Sequence, residues 1–175
     1  FNVNLDGIEY DAKFVFELVG YNLEGSEIGA AFGLKQLDSL KDNINQRQIN
    51  FKKQTDFFKQ YDEFFRTPIE NEFCETAWLA YPILIKEDAP FSRKEFQIYL
   101  EERNIQTRVV FTGNILRQPG FKKIKRIETK GGYPQSDNVM KNGILIACHH
   151  GLSKKMTKHI HKTVENFIKY KINKF

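Results

Sequence analysis

The sequence predicts a domain that mixes helices with a sheet, and three observations predict it. Short β-branched and apolar segments at 76–86, 107–111 and 143–148 have the length of strands. Longer stretches around them place apolar residues at helical spacing, as in Ile28, Phe32, Leu34 and Leu37 or Ile160, Val164, Phe167 and Ile168. Gly, Pro and small polar residues separate the two kinds of segment. With 175 residues, 41% of them hydrophobic and 16 of them Phe, the chain can fill one respectable core and is no disordered tail. Strands mostly alternate with helices, an order that leaves parallel and antiparallel sheets both open.

The elements follow in order. Residues 1–19 alternate apolar and polar around Asp6-Gly7, a common hairpin pair, and 12–19 reads as a strand. Ser26 is a predicted N-cap, with Glu27 favourable to the dipole of the helix whose stripe is Ile28, Ala31, Phe32, Leu34, Leu37 and Leu40. A polar helix over 41–61 carries Ile44, Phe51 and Phe58 on one narrow stripe, and Thr67-Pro68 ends that region. The 76–86 strand contains Pro82, which requires an edge position or a bulge. Ser92 and Glu95 have capping-box spacing at the head of a helix over 93–104, with Phe96, Tyr99 and Leu100 inward. Residues 121–132 read as a mobile, basic, Gly-terminated loop. Pro134 opens a short helix capped by Ser136 or Asp137. A buried strand over 143–148 follows, then a last helix capped by Ser153, with Met156, Ile160, Val164, Phe167 and Ile168 inward.

Composition narrows the function classes. Net charge is +5, from 27 basic and 22 acidic residues, gathered at Lys122, Lys123, Lys125 and Arg126 and again over 154–174. Such an excess attracts phosphate or nucleic acid, or is simply a solvated helix face, and no RRM, KH or zinc-finger pattern accompanies it. Cys74 and Cys148 stand far apart and form no C-x-x-C, so neither a zinc site nor a redox motif is indicated and a reducing cytoplasm fits. His149 and His150 are adjacent, point opposite ways on an extended chain and lack a third ligand, so no metal site is expected. The chain starts at Phe1 without a charged-then-apolar leader, and no apolar run has the length of a membrane span. We therefore expect a soluble, cytoplasmic piece of a longer protein.

One stretch stands apart: Thr107-Arg108-Val109-Val110-Phe111-Thr112-Gly113-Asn114-Ile115-Leu116-Arg117-Gln118-Pro119. It begins as a strand, Gly113 frees the backbone, and Pro119-Gly120 closes a turn. Asn114, Arg117 and Gln118 place amide and guanidinium donors just beyond the strand end, which suits an oxygen-rich, anionic ligand. An ordinary polar surface loop is the competing reading.

This stretch resembles the R-x-x-F-x-G-N-x-x-R-Q-P segment of sugar-nucleotide enzymes in the DegT/StrS family, which depend on pyridoxal 5'-phosphate (PLP). Two further stretches agree. Gly20-Tyr21-Asn22-Leu23, then Ser26-Glu27-Ile28 and the Ala-Ala-x-Gly-Leu run, resemble the family's signature at its linking helix. Ser136-Asp137…Met140, then Gly151-Leu152-Ser153, resemble its C-terminal pattern, with His150 where Pro is familiar. The likeness is strongest to the nucleotide-linked 4-keto-6-deoxyhexose 3-dehydrase branch, and it corresponds to the C-terminal part of such an enzyme.

The resemblance implies an α+β fold: the small C-terminal domain of a fold-type I PLP enzyme, an antiparallel sheet with helices packed on one side. It implies an N-terminal arm and dimer-crossing loop over 1–25, linking helices over 26–66 and the small domain over 67–175. It implies Asn22 as a ligand of the PLP or pyridoxamine phosphate (PMP) group of the other subunit, although Glu24 stands where the family usually has a basic residue. Arg108, Phe111, Asn114, Arg117 and Gln118 are the implied binders of a nucleotide-linked 4-keto-6-deoxy sugar. The implied setting is lipopolysaccharide or O-antigen deoxysugar biosynthesis by a homodimer, with neither a membrane nor nucleic acid as partner. No catalytic residue is expected within this stretch of chain, so the chain alone should be inactive. A sugar aminotransferase, and a non-catalytic basic domain that binds phosphate or RNA, are the alternatives.

Overall fold

The computed structural model describes residues 2–6, 8–11, 15, 18, 20–21, 23 and 25–173. It divides into two compact units, Phe1–Asp38 and Ser39–Phe175.

In the first unit, strands β1 (Asn2–Leu5) and β2 (Ile8–Asp11) pair antiparallel, with Leu5 opposite Ile8 and Asn2 opposite Asp11. Asp6 takes the left-handed turn conformation at φ 53°, which Asp tolerates better than most residues. The strand expected over 12–19 lies largely outside the described residues, as does Asn22. Helix α1 (Glu27–Asp38) starts where the cap pattern places it, the Ser26 hydroxyl accepting from the Gly29 N–H at 3.4 Å. Its apolar stripe is exposed at Ile28, Phe32, Leu34 and Leu37.

In the second unit, four strands form an antiparallel sheet in the order β3–β4–β6–β5, with β3 at Phe65–Arg66, β4 at Ala80–Ile85, β5 at Arg108–Val109 and β6 at Gly143–Ala147. Alternation along β4 decides its two faces. Tyr81, Ile83 and Ile85 are buried in one cluster with residues of α2 (Leu40–Phe58), α3 (Arg93–Glu101) and α5 (Lys154–Ile172), while Ala80, Pro82 and Leu84 are only half-buried. Helices thus cover one face, as expected. The phenylalanines concentrate there: Phe167 meets Phe91 and Phe96 at ring separations of 4.8 and 5.1 Å, and Phe58 meets Phe65 at 5.2 Å. Each such ring taken from water contributes about 1.5–3 kcal/mol.

Several boundaries differ from the sequence expectation. Pro82 is not on an edge strand, because β4 lies between β3 and β6. β3 reaches only Leu84 and Ile85, however, so around Pro82 the strand has β6 alone as partner and a missing N–H is tolerated. The α3 capping box is formed, with Ser92 Oγ accepting from Glu95 N–H and the Glu95 carboxylate accepting from Ser92 N–H at 2.8 Å. The helix stops at Glu101 rather than 104, because Asn104 turns to φ 58° and the Ile105 N–H bonds back to the Leu100 carbonyl. The strand expected over 107–111 is reduced to Arg108 and Val109, opposite Leu145 and Ile144. Short edge strands of this kind offer little backbone to a stray partner. Helix α4 (Pro134–Asn142) is preceded by Tyr133, so Ser136 and Asp137 sit inside its first turn and do not cap it. On α5, Met156 faces outward and Thr157 and Thr163 join Ile160, Val164, Phe167 and Ile168 inside.

Candidate functional site

The candidate stretch leaves the sheet at Val109 and turns sharply. Phe111 adopts φ 42°, uncommon for a bulky residue, and its side chain is 87% exposed. Gly113 follows at φ 60°, packed so closely that a Cβ there would lie 2.4 Å from the Met140 Cβ and 2.8 Å from its Cα. Only glycine meets both the backbone angle and the space. Two short 3₁₀ turns, Ile115–Arg117 and Pro119–Phe121, complete the segment.

Asp137 on α4 is the hub. Its Oδ1 accepts from the Asn114 amide at 2.7 Å and from Arg117 Nε, and its Oδ2 accepts from Arg117 Nη2 at 2.5 Å. The Asn114 side chain is nearly buried, and its Oδ1 accepts from the Leu116 N–H at 3.1 Å. The Arg117 bonds, then that of Asn114, hold the Asp137 carboxyl down to about 2, and Asp137 in turn raises the Arg117 guanidinium. A forked arginine–carboxylate pair fixes orientation as well as charge. Gln118 donates to the Thr112 carbonyl at 3.0 Å, closing the loop on itself.

Arg108 sits apart from this lock. It donates to the Thr107 carbonyl at 3.1 Å, and with the Gln106 amide oxygen turned toward it, that oxygen lies 2.8 Å from Nη2. Arg108 lines an apolar cleft of about 600 Å³ with Ala80, Leu145, Ala147, Met156 and His159. Phe111 and Gln118 line a different cavity, about 170 Å³, with Arg93, Gly113 and Met140. The structure therefore brings Asn114 and Arg117 together on Asp137 and places Arg108 and Phe111 on two separate concavities. The donors are largely committed to the protein itself: Arg117 keeps Nη1, and Gln118 keeps its oxygen, for anything outside.

Sequence reasoning missed the role of Asp137, which it read as a helix cap. A signal was present, because Gly113, Asn114 and Arg117 come from one quoted motif and Asp137 and Met140 from another. The structure shows the two motifs meeting as glycine against methionine and amide plus guanidinium on carboxylate. The histidines do not converge. The His149 carbonyl accepts from Asn50 at 2.9 Å, His150 Nδ1 lies 3.4 Å from Arg47, and His159 Nε2 lies 2.8 Å from the Arg103 carbonyl. Among the described residues no cluster of three or more His, Cys, Asp or Glu could hold a metal.

The profile of the DegT/DnrJ/EryC1/StrS aminotransferase family matches residues 2–165, and the chain belongs to that family. Among individual relatives, it is 32% identical over 158 residues to the lipopolysaccharide biosynthesis protein RfbH of Salmonella typhimurium, covering 90% of this chain and 35% of that protein. It is 28% identical over 159 residues to the dTDP-4-dehydro-2,6-dideoxy-D-glucose 3-dehydratase of Saccharopolyspora spinosa, covering 91% and 34%. The structure of an E. coli GDP-4-keto-6-deoxy-D-mannose-3-dehydratase with bound hydrated PLP superposes with a TM-score of 0.75 at 25% identity, over 86% of this chain and 38% of that one. The chain thus spans about a third of the length of the relatives it matches.

Proposed function

We propose that this chain is the C-terminal part of a PLP- or PMP-dependent 3-dehydrase acting on a nucleotide-linked 4-keto-6-deoxy sugar in lipopolysaccharide or deoxysugar biosynthesis. The names of its relatives support the reaction class, and a soluble, cytoplasmic homodimer is the setting that goes with this reading. When bound, the cofactor supplies an electron sink for carbanion chemistry on the sugar. This chain's own contribution is grip. Asn22 would donate its amide to the cofactor phosphate of the partner subunit. Asn114 and two nitrogens of Arg117 are occupied by Asp137 and are not offered to that phosphate.

The observation that carries the substrate reading is Phe111. Its positive φ and its 87% exposure are both unfavourable in isolation, and a rigid, Asp137-locked turn holds it there. An aromatic ring so presented, on the same small cavity as Gln118, suits stacking on a planar base or sugar face, and Arg117 keeps Nη1 for a phosphate. Arg108 would extend the grip from the neighbouring cleft.

The test is Phe111→Ala in the enzyme that contains this chain. Loss of one ring contact, about 1.5–3 kcal/mol, raises the KM for the nucleotide sugar roughly tenfold or more and spares the bound-cofactor absorbance. An unchanged KM would remove the loop from substrate binding. The product analysed in the same assay separates loss of the C3 hydroxyl from amination at C4, and amination would replace the dehydrase reading.

A further inference from the structure

We propose that the 121–132 loop docks this protein onto an anionic lipid surface. The loop carries Lys122, Lys123, Lys125, Arg126 and Lys130 against one carboxylate, Glu128. The structure spends Arg126 and Glu128 on each other at 2.5 Å, and Arg126 Nη1 also donates to the carbonyls of Phe121 and Lys122 at 3.2 and 3.0 Å. The Tyr133 hydroxyl donates to the Ile127 carbonyl at 3.0 Å, and the Thr129 hydroxyl to that of Gly132 at 2.7 Å. The loop is thus braced from within, and its charge is sorted. The one paired cation is tied to the loop's own backbone and carboxylate, while all of 121–132 is exposed and four lysines remain for an outside partner.

Apolar residues choose among the anionic partners. Phe121, Ile124 and Ile127 lie between the lysines and are 39%, 52% and 91% exposed. RNA would be gripped by arginine forks and stacked aromatics, and two exposed isoleucines add nothing to such a contact. A bilayer surface uses both sets at once: lysines are drawn to phosphate headgroups, and aliphatic side chains enter the interface between them. Docking of this kind needs no spanning segment, and among the described residues no helix is long and apolar enough to be one.

The experiment is flotation of the purified protein with phosphatidylcholine vesicles, with and without phosphatidylglycerol, at low and high salt. Binding is expected only to the anionic vesicles at low salt. Lys122→Ala with Lys123→Ala weakens partitioning roughly thirtyfold, about fivefold per lysine near such a surface. Ile127→Ser weakens it roughly tenfold without changing the salt dependence. All three positions are exposed, and unchanged circular dichroism shows that the variants fold. Absence of binding to anionic vesicles, equal binding to neutral ones, or an Ile127→Ser protein that partitions like wild type overturns the proposal. So does displacement from vesicles by single-stranded RNA that binds wild type and Ile127→Ser equally, which assigns the loop to nucleic acid.

Discussion

Gly113 and Asp137 show how much a single position can demand. At Gly113 a methyl group meets a left-handed backbone angle and the Cβ and backbone of Met140 together, so neither a side-chain rotation nor a small shift relieves it. Strain of this kind costs about 1–3 kcal/mol and overpacking a similar amount. Gly113→Ala should therefore lower stability by about 2–4 kcal/mol, read as a drop in the urea midpoint. Gly120→Ala, seven residues on in open space, should stay within about 0.5 kcal/mol of wild type. Equal midpoints for the two variants would mean that the turn does not pack on α4. The glycine was legible in the sequence as a break in a strand. The carboxylate was not, because Asp137 is twenty positions from Arg117 and equally at home as a helix cap. Local pattern names the candidate donors; which of them the protein keeps for itself depends on contacts between segments.

At the scale of elements, the sequence read best where one face decides and worst where polar groups go inside. The caps at Ser26, Ser92 and Ser153, the start of the helix at Arg93 and the place of the last strand from Gly143 all follow from local spacing. On α2 the expected stripe of Ile44, Phe51 and Phe58 is only part of the packed face, since Asn50 and Gln54 are buried beside it. They reach backbone at and just past the end of β6. Asn50 donates to the His149 carbonyl at 2.9 Å and Gln54 to the Ala147 carbonyl at 3.1 Å, while the Gln54 oxygen lies 2.9 Å from His161 Nε2 on α5. One amide thus ties α2, the end of β6 and α5 together, and a polar residue in such a place reads from sequence as solvent-facing. Gln54→Leu keeps the volume and adds apolar surface, yet it orphans an acceptor and a donor. A buried unpaired group costs about 1–3 kcal/mol, so the variant should lose about 2–4 kcal/mol in a denaturant titration. A more stable Gln54→Leu protein would show the clamp to be dispensable.

For the whole molecule, pH sums these local choices in two separate windows. Burial drives the His161 imidazole down to about 4, where it stacks on Phe57 at 3.9 Å and donates toward Gln54. Above its ordinary value of 6.5 it is neutral both folded and unfolded. Between 6.5 and about 4 the unfolded chain takes a proton that the folded chain refuses, so stability falls as pH drops, and the loss is complete below about 4. The carboxylates act lower. Hydrogen bonds from Lys171 and Ser92 hold Glu95 near 2, those from Arg117 and Asn114 do the same for Asp137, and Thr107 lowers Glu101. Their stability is present above the ordinary carboxylate range and drains away as pH falls from about 4.5 toward 2. Near-ultraviolet circular dichroism reports the phenylalanine core, and melting followed by it should therefore show a decline in Tm in two stages. His161→Gln, which keeps an amide donor in place of the titrating ring, should flatten the stage between 6.5 and 4 and leave the lower one intact. A wild-type Tm that holds level down to pH 4.5 would mean that the folded core accepts the proton, and that His161 is reached by solvent.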